Sequence, residues 1–230
     1  MEAFRAWLAQ LELGNLFDML VTVASCLLCI TFHETCHGLA AYWMGDSTAK
    51  RAGRLSLNPL KHIDIFGLVM LAVAKFGWAK PVPVNMRAFR NPKAGMALTA
   101  LAGPVSNFLL AMAAMLLYSV CAFYYNYTDG MVWYYLLRFC LYTVILSTGL
   151  GLFNLFPVPP LDGSKVLFAF LPERWYAKLM RYERFGMILL VVLLLSGVLN
   201  APLSRMRETV IGWMELVCLW PYDALVAIYS

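Results

Sequence analysis

A run of apolar residues long enough to cross a bilayer carries, in its second half, the string His33-Glu34-Thr35-Cys36-His37. Few features limit a chain more. Ionisable side chains are expensive at membrane depth and persist mainly where they line a polar site. Histidines at i and i+4 lie on one face of a helix, one turn apart, so both imidazoles can converge on one metal ion. A carboxylate beside the first histidine is then placed to take a proton from water at that metal. The pattern alone is only moderately specific; its setting in an apolar helix makes it informative.

Composition enters as support for that setting. Of the 230 residues, 62% are hydrophobic and 13% charged, against roughly 25% charged in an average soluble domain. A mean hydropathy of +0.69 exceeds what the interior of so small a soluble protein could hide. No linker, charge run or repeat divides the chain, so a single membrane domain over 1–230 is expected, with a core at about 16–170 and C-terminal helices at about 185–229. Residues 1–17 lack the basic start and small-residue cleavage site of a signal peptide, so the first apolar stretch is expected to remain.

The expected class is an all-α polytopic membrane protein of about five to six transmembrane helices. A first span falls at about 16–44, and strong spans at about 95–121 and 132–156 flank a tip, Phe123 to Gly130, rich in Tyr, Asn and Asp. Weaker spans fall at 185–200 and at 207–229, the latter broken near Pro221. Residues 64–78 are about 15 in number, short for a crossing, and read as a re-entrant segment. Residues 48–62 and 78–86 alternate and contain Pro and Arg, which predicts a small membrane-associated β-sheet. An edge of that sheet could pair with an unwound substrate helix.

Charge orients the scheme. Nine Lys and Arg lie from Lys50 to Lys93, five more lie in the 157–184 loop, and the 122–131 connection has none. Positive-inside bias then makes both basic loops cytoplasmic and the Tyr-rich tip external, with Arg205 and Arg207 counting against it. The formal net charge of +5 follows from topology and implies no nucleic-acid partner. The six cysteines all fall in apolar segments and read as small core residues, Cys26 and Cys29 included. Trp43, Trp78, Trp133, Trp213 and Trp220 sit near span boundaries, as interfacial belts require.

Two histidines do not complete a metal site, because a catalytic zinc usually takes three protein ligands. His62 is the only other histidine and reads as a solvated or headgroup-facing residue of a surface loop. Asp162 is the better candidate. It lies near the end of Asn154-Leu155-Phe156-Pro157-Val158-Pro159-Pro160-Leu161-Asp162-Gly163, where three prolines exclude regular helix at membrane depth. Broken backbone there is tolerated where it lines a polar cavity; a plain Asp-Gly turn is the alternative. In this topology the HETCH string, Gly103-Pro104-Val105-Ser106-Asn107 and the proline run with Asp162 all lie at one depth, toward the cytoplasm. Asn107 reads equally as an interhelical hydrogen-bonding residue or a substrate-binding one.

The strings HETCHG, GD-TAK-GR-SLNPLKHID, WAKPVPVN, GPVSN and NLFPVPPLDG resemble, in order and over roughly 18–170, the site-2 protease family of intramembrane metalloproteases, peptidase family M50. The likeness is to its compact bacterial branch without PDZ or CBS domains. The resemblance implies one zinc per chain held by His33, His37 and Asp162, Glu34 as general base, and Asn154 polarising the scissile carbonyl. It implies a single-pass transmembrane protein as substrate, cut near the cytoplasmic side of a bacterial cell membrane. The alternative is a non-catalytic membrane protein, either a metal-handling transporter, for which the later spans offer few further acidic or histidine residues, or an inactive homologue that only binds helices, against which intact HETCH, Asn154 and Asp162 argue.

Overall fold

The computed structural model of the protein describes residues 16–67, 79–172, 174, 176 and 183–229. The principal helices are α1 (Leu16–Trp43), the single turn α2 (Thr48–Arg51), α3 (Pro92–Thr128), α4 (Met131–Asn154), α5 (Asp162–Ala169), α6 (Glu183–Ser196), α7 (Asn200–Cys218) and α8 (Trp220–Tyr229). Short 3₁₀ turns occupy Pro59–Lys61 and Met86–Ala88.

The boundaries follow local chemistry. Pro92 opens α3, where its missing N–H costs nothing, and the Asn91 side chain caps the turn by accepting from Ala94 N at 3.2 Å. Helix α3 continues through Pro104 and runs 37 residues, about 55 Å. The expected polar tip is therefore mostly helix. The reversal into α4 is confined to Asp129, at φ 49°, and Gly130. Helix α4 stops at Asn154 because Pro157, Pro159 and Pro160 follow. Gly197, at φ 72°, ends α6 in the left-handed conformation glycine tolerates best.

Among the described residues, four helical stretches are long and apolar enough to cross a membrane: Phe17–Trp43, Pro92–Thr128, Met131–Asn154 and Asn200–Tyr229. The spans expected at about 16–44, 95–121 and 132–156 correspond to Leu16–Trp43, Pro92–Thr128 and Met131–Asn154. The C-terminal pair differs. Helix α6 has 14 residues, about 21 Å against a hydrocarbon core of about 30 Å. The last stretch begins earlier than expected, and its break falls at Leu219, between α7 and α8. The re-entrant reading of 64–78 falls largely on residues outside those described. The expected β-sheet is not found among the described residues: residues 54–58 and 80–85 are irregular, and pairing is limited to one antiparallel bridge between Ile63 and Ala79. Prolines at 81 and 83 remove ladder donors, which explains the difference.

Contacts divide the chain into two compact units. The described part of one comprises 16–29, 107–153 and 188–229. Its centre is Ala111, Ala114, Met115, Val144, Met214 and Cys218, small or flexible residues that let helix backbones approach closely. Hydroxyls tie its helices: Ser25 Oγ donates to Phe139 O at 3.2 Å and Ser147 Oγ to Asn107 O at 2.8 Å. One ion pair joins Arg138 to Asp18 at 3.0 Å. Trp213 and Trp220 are exposed, as lipid-interface anchors would be. All six cysteines are free thiols, so Cys26 and Cys29 form no disulfide.

The described part of the other unit comprises 30–67, 79–106, 154–172, 174, 176 and 183–187. It holds HETCH, the irregular segments, the first half of α3 and α5. Its buried polar residues include His33, His37, Asp46, Arg54, His62, Thr99 and Asp162.

Candidate metal centre

Helical periodicity places His33 and His37 one turn apart on α1, both buried, their rings edge to face with centroids 4.5 Å apart. Their Nε2 atoms stand 3.0 Å apart. The third member comes from the far side of the proline run. Leu155 to Leu161 form turns and bends, and Asp162 begins α5, buried. Its Oδ2 lies 3.3 Å from His33 Nε2 and 3.1 Å from His37 Nε2. Among the described residues this is the one group of three His, Cys, Asp or Glu side chains whose ligating atoms converge.

The triangle fits a metal. Its edges are 3.0, 3.1 and 3.3 Å. Zinc–nitrogen and zinc–oxygen bonds of about 2.0–2.1 Å in a tetrahedron put adjacent ligand atoms about 3.3 Å apart. The donor set, two imidazoles and a carboxylate, is one catalytic zinc uses. His37 is oriented for it: Nδ1 lies 2.7 Å from the Thr99 carbonyl, which makes Nδ1 the donor and leaves the Nε2 lone pair for the centre. Lys165 Nζ stands 3.8 Å from the second oxygen of Asp162, Oδ1.

Two glycines make room. A Cβ on Gly103 would stand 2.5 Å from His37 Nε2 and 2.6 Å from His33 Cε1, so only glycine lets α3 approach both imidazoles. A Cβ on Gly163 would strike the Leu155 carbonyl. Its absence lets the first turn of α5 fold back against the chain just past Asn154, which is how a residue beyond three prolines returns to α1.

Glu34 is half-buried, and its Oε2 accepts from Val82 N at 2.9 Å. Asn154 is the last residue of α4 and half-buried, in the same unit as the triad. Asn107 is fully buried and belongs to the other unit, where its carbonyl accepts from Ser147. His62, expected to be solvated, is instead buried, with Nε2 donating to Ser56 O at 2.8 Å. It is a structural residue of the 54–62 segment. Two contributors escaped sequence reasoning: the Thr99 carbonyl and the Val82 amide. The WAKPVPVN string marks the neighbourhood of the second, but not the atom that matters.

The Peptidase family M50 model matches residues 120–197, a stretch that contains Asn154 and Asp162. A Bacillus subtilis (strain 168) protein named "Putative zinc metalloprotease YwhC" is 40% identical over 174 residues, 76% of this chain and 80% of the relative. The chain belongs to peptidase family M50. Two mycobacterial proteins, each named "Putative zinc metalloprotease Rip2", are similar at 28% identity. That of Mycobacterium tuberculosis (strain ATCC 25618 / H37Rv) aligns over 227 residues, 95% of this chain and 80% of the relative. That of Mycolicibacterium smegmatis aligns over 202 residues, 85% and 75%. No solved structure matches. Membership in family M50, with four apolar helices of crossing length, makes this an integral membrane protein. The relatives' names imply zinc.

Proposed function

We propose that this M50 protein is an intramembrane zinc endopeptidase that hydrolyses a peptide bond of a single-pass transmembrane protein near the cytoplasmic side of the bilayer. The observation that supports this most is the convergence of His33 Nε2, His37 Nε2 and Asp162 Oδ2. These residues would hold one zinc per chain. When bound, zinc supplies Lewis acidity, lowering the pKa of water toward about 7 and polarising a carbonyl.

The chain's own groups do the rest. Val82 N–H occupies Oε2 of Glu34, and the other oxygen of Glu34 takes a proton from the attacking water. The water oxygen adds to the scissile carbonyl carbon, and the C–N bond breaks as Glu34 returns that proton to the leaving nitrogen. The Asn154 amide donates to the developing oxyanion. A substrate helix must unwind to expose its carbonyl, since every backbone group is otherwise paired inside the helix. Cytoplasmic placement of the site is supported by the basic residues from Lys50 to Lys93 and in 157–184.

Metal analysis of the purified full chain, with comparative proteomics of membranes, tests the reading. About one zinc per chain is expected, lost in His37→Ala and Asp162→Ala. Glu34→Gln should retain zinc, lose turnover, and cause single-pass proteins to accumulate uncut. Full zinc retention by Asp162→Ala would remove that residue from the ligand set. Asn154→Ala should keep zinc and lower kcat roughly 10²–10³-fold. A reporter cysteine at position 56 should resist impermeant thiol reagent in intact cells while one at 126 reacts; the reverse pattern would invert the topology.

A further inference from the structure

Residues 80–85 (Lys-Pro-Val-Pro-Val-Asn) carry no regular secondary structure, and two of their six backbone nitrogens belong to proline. Of the six residues only Val82 is buried, yet the segment's backbone is held, and side chains provide most of its partners. Arg54, buried, donates to the carbonyls of Lys80 at 2.6 Å and Pro81 at 3.3 Å. Lys80 N donates to His62 O at 2.9 Å, and the His62 ring is itself fixed to Ser56 O. At the other end Asp46, fully buried, accepts Asn85 N at 2.6 Å through Oδ2. Its Oδ1 accepts Thr48 N at 2.8 Å and Thr48 Oγ1 at 2.5 Å.

Between these anchors Val82 N–H points at Glu34 Oε2, 2.9 Å away. The Val82 side chain is buried, and a Cβ on Gly38, one turn along α1 from Glu34, would stand 3.2 Å from Val82 Cγ1. The segment is therefore pressed onto α1 where the carboxylate emerges. A glutamate has several rotatable bonds, and holding it in one orientation costs rotamer freedom unless a partner compensates.

The geometry points to the 80–85 segment as a strap that positions Glu34 through the Val82 N–H, with Asp46 and Arg54 as positioning residues that act through it. Neither touches Glu34. They hold the backbone that supplies its hydrogen bond, so loosening either end leaves the carboxylate free to turn from the productive orientation. The catalytic part of this inference rests on the proposed role of Glu34 as proton acceptor; the mechanical part does not.

Two readouts on the full chain in nanodiscs test it. The first is backbone hydrogen exchange. A peptide spanning the strap contains few exchangeable amides, because positions 81 and 83 have none. Glu34→Ala should speed exchange at Val82, and Asp46→Asn and Arg54→Ala should do the same from a distance. Unchanged exchange at Val82 in Glu34→Ala overturns the proposal; so does faster exchange at Asn85 alone in Asp46→Asn. The second readout replaces Val82 by α-hydroxyvaline, which exchanges only its N–H for an ester oxygen. On a quenched-fluorescent single-pass test helix, kcat should fall roughly ten- to a hundredfold, the scale of a hydrogen bond to a charged group. KM and zinc content should be unchanged. The same exchange at Val84 should leave kcat within about twofold, and Arg54→Lys should recover most of the loss seen in Arg54→Ala. An unaltered kcat in the Val82 ester overturns the proposal. Wild-type turnover by Glu34→Gln instead overturns the assignment of the base, while the exchange data still report the bond between Glu34 and Val82.

Discussion

Helices α1, α3 and α4 contribute residues to both compact units, yet the two units handle buried polarity in opposite ways. In the unit built from 16–29, 107–153 and 188–229, the buried polar side chains are mostly hydroxyls such as Ser25, Thr143, Ser147 and Thr148. Ser25 and Ser147 bond to carbonyls of neighbouring helices. Regular helix satisfies its own backbone there, so hydroxyls suffice as cross-links. In the other unit the described backbone is irregular at 54–58, 80–85 and 155–161, and charged or imidazole side chains are buried there: Asp46, Arg54, His62 and Asp162. Irregular backbone leaves groups that only long, polar side chains can reach. A membrane protein that breaks its helices must therefore bury charge, and that is where a metal centre can be assembled.

Glycine gives the contrast its sharpest test. Gly103 faces the two imidazoles, whereas a Cβ on Gly149, in the other unit, would meet nothing within 4 Å. Gly103→Val should abolish zinc binding and turnover while leaving the protein in the membrane, read by metal analysis of the purified variant. Normal zinc content in that variant would mean the helices can separate, and the close approach would lose its significance.

The next largest effect concerns the ion pair that joins Arg138 to Asp18 in the hydroxyl-linked unit. Arg138 and Asp18 are 19% and 8% exposed at their side chains. Arg138→Met should destabilise the protein by about 3–5 kcal/mol, because it strands a buried carboxylate. Adding Asp18→Asn should recover most of that, measured by steric trapping or denaturant titration. No recovery would assign the loss to packing rather than charge.

Asp46 offers a smaller, pH-dependent effect. Burial alone would raise its pKa. The bonds from Thr48 Oγ1, Asn85 N and Thr48 N, with the charge of Arg51, outweigh burial and hold the carboxyl below its ordinary value. A depressed folded pKa stabilises the protein above the unfolded carboxylate value of about 3.9, and that contribution disappears as pH falls through the lower folded value. The difference in thermal stability between the protein and Asp46→Asn should therefore be full at pH 6 and shrink below about pH 4. A difference that grows on acidification would contradict the sign. Smallest of all, Gly149→Ala should stabilise the protein by about 0.5–1 kcal/mol, the helix-interior gain over glycine; a loss would reveal a neighbour at that face.

Much of the fold was legible because it is local. Span length, helix periodicity and proline positions depend on neighbours within a turn or two, so α1, the hairpin of α3 and α4, and the stop at Asn154 could be read along the chain. The polar tip was misjudged because Tyr124 to Thr128 remain helical on the strength of continuing backbone hydrogen bonds and ring contacts such as Phe123 with Tyr127, centroids 5.9 Å apart. The expected sheet is not found among the described residues for a different reason: residues 80–85 are held by side chains, not by a neighbouring strand.

What the sequence determined alone was the class of the protein and the facing pair His33 and His37, since a four-residue spacing on a helix is a statement about one turn of backbone. Tertiary structure decided what meets that pair. Thr99 O reaches His37 across 62 positions and Val82 N reaches Glu34 across 48; Asp162 arrives because Gly163 allows α5 to fold back on the Leu155 carbonyl. Partners so far apart in sequence are set by packing the whole chain, because no local periodicity carries information about which backbone atom will come to lie 3 Å from a given side chain.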